Sequence, residues 1–217
     1  DMLKAGMHFG RKKTVFHPAM KRYVFTVRDG ICIIDLIKTK TQLTNTIEAL
    51  RRVIKDNGTI LFVALTKQSI NAIKDLAEHL NMPYVIDRWL GGTLTNFKVL
   101  NSRVKKLEEM EIQKKTGELE NKYTKKERLL FEREMVKMAS KFEGLKKLTK
   151  MPDLVFVSSL KESALPVREA KRMGIKVAAI SNTDADPETV DYVIPANDRS
   201  KKSVDLIVQN IKKELTE

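Results

Sequence analysis

Cysteine is almost absent from this sequence. Cys32 is the single one in 217 residues, so no disulfide can close within the chain, and a reducing compartment is expected. Histidine is nearly as scarce: His8, His17 and His79, with one thiol and no short His/Cys spacing, make no zinc pattern. No Ser/His/Asp or Cys/His arrangement stands out along the chain, so the sequence offers no sign of nucleophilic catalysis. Long apolar runs are missing as well. None approaches the ~18–20 residues that a bilayer-spanning helix needs, and Asp1-Met2-Leu3-Lys4-Ala5-Gly6 has no signal-peptide core. A soluble protein inside a cell or organelle is the expectation. The first residue is not methionine, which leaves open a leader ahead of it. Acids are in deficit, 28 Asp and Glu against 41 Lys and Arg, for a net charge of +13. An excess of that sign calls for a polyanionic partner, nucleic acid first.

What is present is enough to build a core. The chain is 42% hydrophobic and 32% charged, against about 25% charged for ordinary globular domains, so a packed interior under a heavily charged surface is expected. Tyr23-Val24-Phe25-Thr26-Val27 and Ile31-Cys32-Ile33-Ile34 flank Arg28-Asp29-Gly30, the pattern of a β-hairpin over 23–36. Leu43, Ile47, Leu50 and Ile54 then recur at helical spacing up to Asn57-Gly58, a helix stop. Five short apolar runs follow, at 60–64, 84–86, 154–157, 177–180 and 192–194. Helical segments are predicted near 68–81, 162–173 and 200–215. Runs that are apolar throughout, alternating with helices, belong to a parallel sheet covered on both faces.

Residues 94–150 break the alternation. Phe97, Leu100, Val104 and Leu107 are spaced 3, 4, 3, and Phe131, Met135, Met138, Phe142 and Leu145 are spaced 4, 3, 4, 3. Two such seams, joined by the polar link Thr116-Gly117-Glu118-Leu119-Glu120-Asn121, predict an antiparallel coiled-coil helical hairpin. The expected organisation is therefore an α/β core formed by 1–96 and 151–217, with the hairpin inserted at 97–150. Residues 98–150 hold 16 Lys or Arg and 9 Glu, a net of +7. That charge suits RNA contact and equally suits the solvated face of a coiled coil.

The string Arg88-Trp89-Leu90-Gly91-Gly92-Thr93-Leu94-Thr95-Asn96-Phe97 follows the strand at 84–86, at the carboxyl edge where such sheets bind ligands. Two readings stand: a phosphate cradle, or a tight turn shaped by Gly91 and Gly92 and anchored by a buried Trp89. It matches neither nucleotide-binding glycine pattern. Asp184 and Asp186, in Ser181-Asn182-Thr183-Asp184-Ala185-Asp186-Pro187, either hold a divalent cation or simply build a turn. An enzyme or nucleotide-binding protein would use Gly91-Gly92 and one of these acids. Basic clusters point elsewhere. Arg11-Lys12-Lys13, Arg88, and Arg199 with Lys201-Lys202 at the start of the final helix suit phosphate contacts, as do Arg103, Lys105 and Lys106 on the hairpin. No aromatic pattern of an RNA-recognition motif is present, so docking on folded RNA is expected rather than single-strand readout.

Several of these strings together resemble bacterial-type members of the universal small-subunit ribosomal protein two family. They are Leu3-Lys4-Ala5-Gly6-Met7-His8-Phe9-Gly10, the tryptophan and glycine string from Arg88 to Phe97, Pro152-Asp153-Leu154-Val155-Phe156-Val157, and Asp191-Tyr192-Val193-Ile194-Pro195-Ala196-Asn197-Asp198. The chain departs from the family pattern at Arg11, often a histidine, at Ser159, often an aspartate, at Lys176, often a proline, and at Asn182 and Asp184, which exchange Asp and Asn. The resemblance implies a flavodoxin-like three-layer fold and a structural role in the small subunit, with no catalysis and no cofactor. It also implies partners, small-subunit ribosomal RNA and neighbouring small-subunit proteins, among them the large RNA-capturing protein numbered first in bacterial subunits. A membrane, a small-molecule substrate and a second copy of the chain are not expected partners, no bound metal is expected, and the expected place is the cytoplasmic small subunit.

Overall fold

A computed structural model describes residues 1–116 and 124–216. Asp29 and Gly30 both have positive φ, 49° and 74°, the geometry of a two-residue hairpin turn. They join β2 (Val24–Arg28) to β3 (Ile31–Ile34) as the alternation predicts. The sheet gains a third strand that the pattern did not foretell. β1 (Phe9–Lys12) pairs antiparallel with β3, so the order is β1-β3-β2 and the expected hairpin is two-thirds of a small sheet. Phe-Gly-Arg-Lys has neither alternation nor β-branched residues; only its place against β3 makes it a strand.

α1 (Leu36–Lys55) begins where Asp35 caps the amides of Ile37 and Lys38 and ends before Asn57, whose φ of 51° turns the chain away. β4 (Ile60–Val63), β5 (Tyr84–Val85), β6 (Leu154–Val157), β7 (Lys176–Ser181) and β8 (Tyr192–Pro195) then form one parallel sheet in the order β5-β4-β6-β7-β8. This is the flavodoxin-like doubly wound order, with its reversal between β4 and β6. α2 (Ile70–His79) crosses from β4 to β5 and α5 (Ala164–Arg172) from β6 to β7, while α6 (Lys201–Thr216) follows β8.

Alternate strand residues feed two cores. Ile60 and Phe62, with Leu154 and Phe156, pack against Leu50 of α1, Leu76 of α2 and Ile207 of α6. Leu61 and Val63, with Val155 and Val157, face Val167 and Ala170 of α5 and the root of the inserted helices. Every residue of β4 and β6 is buried, the cause of their unbroken apolar runs.

The inserted helices are α3 (Phe97–Lys115) and α4 (Lys125–Phe142). Thr124 and Glu127 form a capping box that starts α4. Leu100, Val104 and Leu107 are buried on α3, while on the facing seam Phe142 and Leu145 are buried and Met135 and Met138 only partly so. Lys106 pairs with Glu134, Glu111 with Lys146 and Lys114 with Glu132, so ion pairs join α3 to α4 and to the residues just after it. Of the expected link, 117–121 lies outside the described residues.

Candidate nucleic-acid interface

In a doubly wound sheet the carboxyl edge is the ordinary place for a ligand. Here the chain's own N-terminal arm lies across it. The amide of Asn197 donates to Met7 at 3.1 Å, the amide of His17 to Thr183 at 2.9 Å, and the amide of Arg11 to Thr183 Oγ1 at 2.8 Å. Met7 is fully buried in the core. Gly10 passes so close that a Cβ there would lie 2.7 Å from the Cys32 carbonyl and 2.7 Å from Thr183 Cγ2. At the reversal between β4 and β6 the space is taken by hydroxyls, Ser69 Oγ and Ser158 Oγ standing 2.8 Å apart.

A charge cluster fastens the arm. Arg11 Nε lies 3.3 Å from Asp184 Oδ2, and Arg11 Nη2 donates to Asp198 Oδ1 at 3.3 Å. Ser159 Oγ donates to Asp198 at 2.6 Å, Asn182 Nδ2 donates to the same carboxylate at 3.0 Å, and Lys161 Nζ reaches Asp184 at 3.0 Å. Two cations thus meet two buried acids. Arg11, expected to meet RNA phosphate, has a side chain only 18% exposed and is committed to the fold's own carboxylates. Asp184 is held by Arg11 and Lys161, and Asp186 caps the amide of Glu188 at the turn 187–189, which is the turn reading of this string. His79 Nε2 sits 3.1 Å from Thr216 Oγ1. Among the described residues no three His, Cys, Asp or Glu side chains converge as metal ligands. Burial pushes the Cys32 thiol up from its ordinary value, against the lowering influence of Lys13 and of a hydrogen bond from Thr183.

The tryptophan and glycine loop resolves in favour of the anchored turn. Trp89 is buried, and its indole Nε1 donates to Glu169 of α5 at 2.9 Å. The Gly92 amide reaches the same carboxylate oxygen at 2.9 Å, while Leu94 and Thr95 donate their amides to the other oxygen at 3.0 and 3.3 Å. Thr95 Oγ1 adds a fifth donor at 3.4 Å. The loop does cradle an anion, and the anion belongs to the protein. Burial alone would raise the Glu169 carboxyl, but hydrogen bonds from Trp89, Gly92, Leu94 and Thr95 together hold it below its ordinary value. Sequence reasoning passed over Glu169. Its signal was present: an acid three residues after Pro166, on the buried face of a short amphipathic helix.

The two glycines are not equivalent. Gly92 has φ +90°, and a Cβ there would stand 3.4 Å from Asn96 Cβ, while Gly91 has open space around it. Gly92→Ala should cost about 1–2 kcal/mol through left-handed backbone strain, and Gly91→Ala should stay within about 0.5 kcal/mol. Chemical denaturation of the two variants checks both values.

The remaining cations face solvent. Lys12, Lys13, Arg88, Arg199, Lys201 and Lys202 are exposed, and so are Lys67 and Lys161, which sequence reasoning did not single out. Lys67 follows β4, Arg88 follows β5, Lys161 follows β6, and Arg199, Lys201 and Lys202 follow β8, so all border one edge of the sheet. Arg103, Lys105 and Lys106 stand apart on α3, also exposed, with Lys106 Nζ 2.8 Å from Glu134. That hydrogen bond holds the Glu134 carboxyl below its ordinary value.

A doubly wound domain closed at its ligand edge by its own arm, ringed there by exposed cations and carrying a basic hairpin, is a binding scaffold by construction. The chain belongs to the ribosomal protein S2 family, whose sequence model matches residues 2–217, a family of structural rather than enzymatic proteins. It is 40% identical over 217 residues to the small ribosomal subunit protein uS2 of Fusobacterium nucleatum subsp. nucleatum, covering 100% of this chain and 88% of that one. It is 42% identical over 207 residues to uS2 of Bifidobacterium longum, with 95% and 74% covered, and 40% identical over 208 residues to uS2 of Thermus thermophilus, with 96% and 81% covered.

Proposed function

We propose that this chain is a structural constituent of the cytoplasmic small ribosomal subunit. In this reading it binds small-subunit ribosomal RNA as a single copy, contacts neighbouring small-subunit proteins, and turns over no small molecule. The observation that carries the reading is the set of exposed cations along a carboxyl edge whose interior is filled by protein. Phosphate is the ligand that such an edge suits, because it needs only surface charge and no cavity. Lys12, Lys13, Arg88, Arg199, Lys201 and Lys202 make the phosphate contacts at the edge. Arg103, Lys105 and Lys106 make them on the hairpin, and Arg11 holds the arm that carries Lys12 and Lys13. No described helix is long and apolar enough to cross a membrane.

Sedimentation of lysate through sucrose at moderate and then high salt tests the assignment. Co-migration with the small subunit that weakens as salt rises is expected, and migration with free protein at both salts would overturn it. Changing Lys12, Lys13, Arg199, Lys201 and Lys202 together to glutamine should lower the salt slope of RNA binding by about 0.7–0.9 for each phosphate left without its cation. An unchanged slope removes the edge from the interface.

A further inference from the structure

We propose that Glu169 is a positioning residue for RNA binding by the hairpin, acting from the neighbouring helix α5 through the loop at the hairpin's root. The inference rests on the ribosomal RNA reading above. Glu169 belongs to α5, the crossover after β6, and its carboxylate is spent on the loop at 89–95 rather than on the exposed cations Arg103, Lys105 and Lys106. Its two oxygens take five donors from residues 89–95, the segment that ends one residue before Asn96, the N-cap of α3. Asn96 makes no side-chain cap, and its amide donates to the Gly92 carbonyl at 2.8 Å, so the entry of α3 is tied back to the loop that Glu169 holds.

The direction in which α3 leaves the sheet is set instead by where Glu169 pins Gly92, Leu94 and Thr95. Trp89 and Leu94 pack with Leu100, Val104, Leu107 and Phe142 in one cluster, so the pinned loop and the base of both inserted helices move as a unit. Arg103, Lys105 and Lys106 alternate along α3 with Val104 and Leu107 of that cluster, so a rotation at the loop carries them with it. Phosphate contacts tolerate little misplacement, whereas Lys12, Lys13, Arg199, Lys201 and Lys202 are carried by other segments at the sheet edge and stay where they are.

The test uses full-length protein and small-subunit ribosomal RNA, comparing wild type, Glu169→Gln, Trp89→Phe and a core control, Leu50→Ala. Each variant is first shown to melt cooperatively. Backbone footprinting on the RNA and the salt slope of binding are then measured. Glu169→Gln is expected to lose the protections that deletion of 100–148 also removes, to keep the others, and to weaken binding by roughly tenfold with a smaller salt slope. Trp89→Phe, which removes one of five donors, should give the same change in milder form. Leu50→Ala, which lowers the melting temperature from the opposite core, should leave the footprint whole. Glu169→Gln with the wild-type footprint and slope overturns the inference, as does Leu50→Ala losing the hairpin protections to the same degree. If wild-type protein gives no protection that the hairpin deletion removes, the hairpin's RNA role fails, and the inference with it. Protections that respond to the deletion but not to Glu169 overturn this inference alone.

Discussion

Glu169→Ala should lower the stability of the folded chain by about 3–5 kcal/mol, because it strips a buried site of the acceptor for five donors. The shell that remains is the Trp89 indole, three backbone amides and the Thr95 hydroxyl, all of which spend their hydrogen bonds on this one carboxylate. Glu169→Gln should cost about 2 kcal/mol, since one oxygen still accepts while the new amide N–H faces donors. Denaturant midpoints at unchanged slope measure both. The pH dependence has a definite sign. The folded carboxyl lies below its ordinary value of 4.5, so its contribution is complete above that value and is lost as pH falls through the folded pKa. The gap between wild type and Glu169→Gln should therefore be widest near neutrality and narrow below about pH 4.5. A gap that does not change with acid would show that the carboxylate charge is not what the loop is built around.

Removing the arm's fastener should be nearly as costly. Arg11→Ala leaves Asp198 and Asp184, with side chains 3% and 4% exposed, short of their shared cation. Breaking a buried pair from one side costs about 3–5 kcal/mol, and the partial exposure of Arg11 places the expectation near 3. Arg11→Lys should rescue little, because a single ammonium cannot span two carboxylates as the planar fork does. Removing the acid as well, in Arg11→Ala with Asp198→Ala, should return part of the loss and give a coupling of about 1–3 kcal/mol in a double-mutant cycle. Denaturation curves of the four proteins supply the cycle. Additive effects would mean that the arm is held by its backbone hydrogen bonds and by Met7 alone.

These two sites show where reading along the chain stops. Arg11 stands beside Lys12 and Lys13 in a cluster that looks uniformly solvated, yet one of the three is drawn inward by carboxylates more than 170 positions away. Charge run and ion-pair partner have no local relation, so no spacing rule could separate Arg11 from its neighbours. β1 was hidden for a similar reason: its pairing with β3 comes from tertiary placement, against weak propensity. The glycine loop was legible as unusual and as a turn, but both of its open readings involved an anion or an anchor. Only the fold revealed that one buried glutamate joins the two.

What the sequence determined by itself was everything carried by local period and composition. The buried strand runs, the switch from period two to period 3.6, the seams of the inserted helices, the basic excess and the family resemblance all depend on residues close together or on counts. The tertiary structure alone decided the strand order with its reversal between β4 and β6, the closure of the carboxyl edge by the N-terminal arm, and the partners of Glu169, Asp184 and Asp198. These depend on which surfaces meet once the chain has buried its apolar faces. That choice is made by the packing of the whole domain, and no short window of sequence contains it.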